Sequence, residues 1–139
     1  MTAEQIVLVK QSWKSFRNVD AHVIGDLFYS KLFFDNPRLR KMFPKSMDAQ
    51  YQKLIDMLCA IVCRLDDMDA LAKDIKAIAA RHINYGVKPD HYRLAGNALL
   101  WTLEKGLGND WNAKVKESWY ACYEMVAAMM IAAGRAYVS

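Results

Sequence analysis

Apolar residues recur in this chain every three or four positions, and nowhere convincingly every second one. A period near 3.6 marks helices with one buried face, and a period of two marks half-buried strands, so the sequence predicts an all-α fold without a sheet. Only 6 Gly and 3 Pro interrupt 139 residues, and Ala, Leu, Met and Lys are abundant, which favours long helices. A hydrophobic share of 54% is enough for one compact domain with a sizeable core, expected to span residues 1–139. Charged residues at 24% exclude a disordered chain.

The breaks divide the chain into about seven helices. Thr2 with Gln5 reads as a capping box opening a helix to about Arg17, with Ile6, Val9, Trp13 and Phe16 on its apolar side. A second helix is expected from Ala21 to Asp35, stopped by Asn36-Pro37. A short helix over Pro37–Phe43, capped by Asn36, and a corner at Pro44 follow. Asp48 is expected to cap a long helix to about Leu65, broken by Asp66-Asp67. The next helices are expected at Asp69–Asn84, at Pro89–Leu107 ended by Gly106 and Gly108, and at Trp111–Tyr137 capped by Asp110.

A net charge of +4 is mild, and the cations are scattered among acids with no run longer than Arg38–Lys41, so no nucleic-acid partner is expected. No apolar run reaches the roughly 18 residues of a membrane span, and no secretory signal is visible, so neither a membrane partner nor export is expected. Three cysteines, an odd count, fit a reduced cytoplasmic protein. Cys59 and Cys63 lie four apart on one helical face, either as a metal-binding pair or as small buried hydrophobes.

Three polar residues interrupt the apolar faces. Leu71, Ile75, Ile78 and His82 are spaced 4, 3 and 4, so His82 points into the core at the end of its stripe. A buried neutral imidazole needs a partner, which a metal or a backbone carbonyl can supply. Gln50 heads the stripe Leu54, Met57, Ile61 and Leu65. Tyr29 shares a side with Gly25, Leu32 and Phe33. A glycine in a helix interior costs about 1 kcal/mol, and one reason to keep Gly25 is a close helix crossing that brings Tyr29 near a cavity. Tyr29 and Gln50 also have ordinary readings, as a core tyrosine and a solvated helix-mouth amide. An imidazole, a phenol and an amide heading into one core nevertheless fit a flat iron-bearing macrocycle, since neutral imidazole is a good axial ligand for haem iron.

Longer pieces strengthen this reading: FYSKLF at Phe28–Phe33, NPRLRKMF at Asn36–Phe43, QYQKL at Gln50–Leu54, ARHINYGVKPDHY at Ala80–Tyr92 and LLWTLEKGLG at Leu99–Gly108. Tyr29 precedes Phe43 by 14 residues, Gln50 precedes His82 by 32 and His82 precedes Tyr92 by 10. In this order and at these distances the chain resembles the globin family along nearly its whole length. It is most similar to bacterial single-domain globins and the haem domain of flavohaemoglobins, with later helices similar also to neuroglobins.

The resemblance implies a globin fold packed around a buried haem b. It implies His82 as the proximal iron ligand and Phe43 as the aromatic wedge against the haem. Gln50 and Leu54 are implied as the distal polar and apolar residues, Tyr29 as the distal tyrosine and Tyr92 as a proximal tyrosine. Phe28 and Lys53, inside the matching pieces, are implied cofactor contacts. His22 and His91 fall outside the implied ligand positions. Oxygen, carbon monoxide and nitric oxide are the implied ligands. The implied roles are nitric oxide detoxification by a dioxygenase reaction or oxygen scavenging, with oxygen storage and gas sensing as alternatives.

Two departures qualify the match. The late glutamate that partners the proximal histidine in flavohaemoglobins falls, counting from Trp119, at Gly134. No reductase region is expected, since no glycine set forms a G-x-G-x-x-G loop, the nearest being Gly106-Leu107-Gly108. An enzymatic role is therefore expected to need an external electron-donating reductase.

Overall fold

The structure, a computed structural model, describes residues 1–138, with side chains through residue 135. Ser139, the end of the expected domain, lies outside the described residues. Six α-helices run in the order α1 (Ala3–Phe16), α2 (Ala21–Asp35), α3 (Asp48–Cys63), α4 (Met68–Asn84), α5 (Pro89–Leu107) and α6 (Ala113–Val138). A 3-10 helix over Pro37–Met42 joins α2 to α3, and a short one over Gly108–Asp110 joins α5 to α6. No strand occurs among the described residues. No helix among them is long and apolar enough to cross a membrane.

The helix starts follow side-chain chemistry, though not always the expected residue. The Thr2 hydroxyl accepts from the Gln5 amide at 3.1 Å while the Gln5 side chain accepts from the Thr2 amide at 2.9 Å, the expected capping box. Asn36 does not cap the 3-10 helix, because its side-chain amide donates back to the Leu32 carbonyl at 3.2 Å and closes α2. Asp48 is the first residue of α3 rather than its cap, and Met47 at the cap makes no side-chain bond. The Asp48 carboxylate still sits where the helix dipole favours negative charge. α3 ends at Cys63, and Asp67 turns from a breaker into the cap of α4, accepting from the Ala70 amide at 3.2 Å. Asn112 rather than Asp110 caps α6, accepting from the Val115 amide at 3.0 Å.

Packing follows the stripes. Leu71, Ile75 and Ile78 of α4 are buried, each burial stabilising by about 1.5–3 kcal/mol. Trp13 of α1 and Trp119 of α6 lie 6.3 Å apart, and the Trp119 indole donates to the Ser12 hydroxyl at 2.8 Å, locking the two terminal helices together. α4 packs chiefly on α6 and α3 chiefly on α2, with little contact between α3 and α4.

α2 crosses α3 at Gly25, where a Cβ would lie 2.4 Å from Cγ of Tyr51. The Tyr51 Cβ would lie only 2.5 Å away, and it is bonded directly to the α3 backbone, so no rotation of the ring clears the clash without moving the helix. Gly25→Ala should therefore lose more to overpacking, about 1–3 kcal/mol, than the roughly 1 kcal/mol it gains in helix propensity. A urea midpoint below the parent's is the expected result, and an unchanged or raised midpoint would show that the crossing yields.

Candidate functional site

α4 closes in a turn in which Val87 donates to the His82 carbonyl at 2.9 Å and Gly86 takes φ 81, a conformation that favours glycine. Pro89 then starts α5, which brings Tyr92 back toward His82. The half-buried His82 places Nδ1 3.2 Å from the Tyr92 hydroxyl. Tyr123 of α6 donates from its hydroxyl to the Tyr92 carbonyl. Gly96 makes room for that ring, since a Cβ there would lie 2.6 Å from Cε2 of Tyr123. Burial, then the neighbouring Arg81 charge, holds the His82 imidazole below its usual pKa and so neutral at pH 7. Its Nε2 has no hydrogen-bond partner among the described residues.

The expected position of a partner carboxylate is empty of one. Gly134 is buried, and a Cβ there would meet Ile83 at 3.3 Å. A small cavity lined by Ile83, Tyr92, Met130 and Gly134 lies behind the pair. Tyr92 is thus the side chain that holds Nδ1, and burial raises its phenol pKa.

On the facing side, Arg40 pins the corner after the 3-10 helix. Its guanidinium donates to the carbonyls of Phe43, Pro44 and Lys45 at 3.3, 2.9 and 2.9 Å, and it lies over the Phe33 ring at 5.5 Å. Phe43 is thereby set edge-on to Tyr29, with ring centroids 5.4 Å apart. Tyr29 is 7% exposed and also touches Phe28 at 4.9 Å and stacks on Tyr51 at 5.8 Å. Burial first, and Tyr51 second, push its pKa to about 12, so it remains a neutral donor at pH 7. Its hydroxyl has no hydrogen-bond partner among the described residues. α3 adds the buried Leu54, the half-buried Gln50 in its first turn, and the exposed Lys53, which makes no ion pair among the described residues.

The sequence-predicted residues therefore form two groups. Tyr29, Phe28, Phe43 and Leu54 belong to or pack on the core, on which Tyr92 also packs, and Gln50 and Lys53 lie on the same helix as Leu54. His82 and Tyr92 form the other group, and no hydrogen bond or aromatic contact among the described residues joins the two. His22 is exposed, and His91 accepts the Lys88 amide at its own helix start at 3.0 Å. Tyr51, Tyr123 and Arg40 are additions that sequence reasoning missed. Their signals were faint: mid-helix glycines at Gly25 and Gly96 for the two tyrosines, and none for Arg40.

These residues fit a haem. His82 on α4 offers a neutral imidazole with one nitrogen held and one free, Tyr29 on α2 offers a phenol without a partner among the described residues, and α3 and α4 contact each other little. The fold is a globin fold. A family model described as Globin matches residues 26–130, and the chain belongs to the globin family, which implies haem binding. A flavohemoprotein of Vibrio cholerae is 26% identical over 134 residues, covering 94% of this chain and 34% of that protein. The chain thus spans about a third of the length of such relatives. A neuroglobin of Tetraodon nigroviridis is 27% identical, covering 88% of this chain and 86% of its own. Among solved structures, a bacterial globin from Campylobacter jejuni superposes with a TM-score of 0.86 at 21% identity, covering 99% of each chain. A protein described as a hexacoordinated heme protein from an anhydrobiotic tardigrade superposes with a TM-score of 0.88 at 17% identity, covering 97% of this chain and 96% of that one.

Two outcomes follow for the histidine pair. His82→Ala should abolish normal haem retention, seen as loss of the Soret band after gel filtration. Tyr92→Phe should keep the fold but speed haem transfer to excess apomyoglobin by about ten- to a hundredfold, the usual scale for losing a partner of a ligating histidine. Transfer at the parent rate would remove Tyr92 from that role.

Proposed function

We propose that the protein binds haem b in a single globin domain across residues 1–139, with His82 Nε2 as the proximal iron ligand. Tyr29 and Gln50 serve as distal hydrogen-bond donors. Its proposed role is to hold oxygen for nitric oxide detoxification or for oxygen scavenging. The observation that carries the reading is Tyr29, a buried residue whose hydroxyl is protonated and has no protein partner among the described residues. When bound, haem supplies an iron with a position for oxygen, carbon monoxide or nitric oxide.

The chain's residues do the rest. With Nε2 on the metal, Nδ1 of His82 carries the proton and donates it to the Tyr92 hydroxyl, which fixes the plane of the ring. Phe43, Phe28 and Leu54 exclude water from the distal side, and the free Lys53 ammonium suits a haem propionate. Tyr29 and Gln50 offer a phenolic and an amide donor to a ligand with negative character. Such bonds are worth about 1.5–3 kcal/mol each, so the two together slow oxygen release by up to roughly 3–6 kcal/mol, at about 1.4 kcal/mol per tenfold. Slow release suits holding oxygen until nitric oxide arrives better than delivery.

Tyr29→Phe should speed oxygen dissociation by about tenfold or more, with carbon monoxide dissociation changing far less. Gln50→Leu should act in the same direction, more weakly, since Gln50 is only half-buried. Stopped-flow displacement of oxygen by carbon monoxide measures both, and parent rates in both variants would overturn the distal assignment.

For enzymatic turnover the ferric protein needs electrons from outside. The purified 139-residue chain, given nitric oxide and NADH, should consume about one equivalent and stop until a reductase is added. Sustained turnover by the chain alone would show a nucleotide site.

A further inference from the structure

The proposed haem site leaves one chemically distinctive pair unused. Cys59 and Cys63 stand one turn apart on α3, with their sulfurs 4.0 Å from each other. Cys59 is half-buried and Cys63 is exposed, so Cys63 is not the small buried hydrophobe that its place on the face also allowed. Burial and the neighbouring Cys59 hold the Cys63 thiol above its usual pKa, while Lys10 and Arg17 at the α1 C-cap act in the opposite direction, as a bound anionic bis-thiolate requires. Lys10 is paired with Asp66 at 2.9 Å, whereas Arg17 makes no ion pair among the described residues.

We propose that Cys59 and Cys63 form a binding site for one copper(I) ion, held between the two sulfurs as a two-coordinate bis-thiolate. The spacing decides between the uses of such a pair. A disulfide needs Cβ atoms about 3.5–4.5 Å apart. Residues four apart on a helix hold them at about 5–6 Å, so oxidation would distort α3. Two metal–sulfur bonds as long as a zinc thiolate's, about 2.3 Å, span up to about 4.6 Å, so sulfurs 4.0 Å apart take an ion between them with a small side-chain shift and no change in the helix.

Ligand number and charge choose the ion. Zinc is held by four ligands in structural sites and by three protein ligands in catalytic ones. No group of three or more His, Cys, Asp or Glu able to hold a metal occurs among the described residues. Copper(I) is a soft ion that prefers thiolates and accepts two ligands. On binding, both S–H bonds break, two copper–sulfur bonds form, two protons leave to solvent and the copper stays monovalent. The product carries one net negative charge, which the unpaired Arg17 guanidinium is placed to offset.

The test uses the haem-loaded, full-length protein, dialysed anaerobically against copper(I) buffered by bicinchoninate, with copper then counted by atomic absorption. The parent and Cys122→Ser, whose cysteine is buried elsewhere, should each hold one copper per chain. Cys59→Ser and Cys63→Ser should bind at least tenfold more weakly while keeping the parent Soret band, which shows that they fold. X-ray absorption at the copper edge should show two sulfur neighbours. Failure of the parent to take copper, parent-like binding by either serine variant, or a copper with three or more ligands would each overturn the proposal. None of these outcomes bears on the haem assignment, because the readout is copper and not gas binding.

Discussion

The crossing of α2 over α3 at Gly25 is the contact on which the distal half of the molecule depends. A glycine there lets the Tyr51 ring lie against the α2 backbone. With the helices that close, Tyr29, one turn further along α2, stacks on Tyr51 and meets Phe43 edge-on. Any larger residue at position 25 spreads the helices and withdraws the phenol from its place. The same crossing commits α3 to α2, while α4 leans on α6. The two helices that carry Leu54 and His82 are thus held by different partners and touch each other little.

The proximal half is built by a different device. A short connection with a left-handed glycine folds α5 back on the end of α4, and Pro89 fixes where α5 begins. Tyr92 then meets His82 from one side, and its own carbonyl is held by Tyr123. Each donor in this chain has a single acceptor, so the orientation of the imidazole is tied through α5 to the packing of α6.

Much of this was legible in the sequence, and the limits are physical. The stripes on α3 and α4 could be read because burial imposes a period along one helix: Leu54 is buried where that period puts it, whereas His82, at the end of its stripe, is only half-buried. The capping box at Thr2 and Gln5 was readable because both partners are local. The caps at Asn36, Asp48 and Asp110 were misplaced because neighbouring polar residues compete for the same amides, and a one- or two-residue offset decides which side chain reaches. Tyr51 and Tyr123 were missed because their contacts cross between helices distant in sequence. Only the glycines opposite them, at positions 25 and 96, carried a trace of those rings.

The replacement of a carboxylate by a phenol behind His82 bears on what the proposed iron site is suited to do. A carboxylate accepting the Nδ1 proton draws it away and lends the imidazole anionic character, which strengthens donation to iron and favours breaking an oxygen–oxygen bond. The Tyr92 hydroxyl is a neutral acceptor, kept protonated by burial, and Gly134 brings no charge to the cavity beside it. A neutral hydrogen bond is roughly half as strong as one to an ionised partner, so the imidazole remains close to neutral and its push on the metal is modest. On the opposite side of the proposed site, two neutral donors would stabilise a polar gas without supplying a proton, since Tyr29 holds its own up to about pH 12. Weak push from below and firm hydrogen bonding from above both favour retaining an intact diatomic ligand over cleaving it. In the proposed haem site that balance, set by Gly134, Tyr92 and Tyr29 together, would favour oxygen holding over peroxidase-like chemistry.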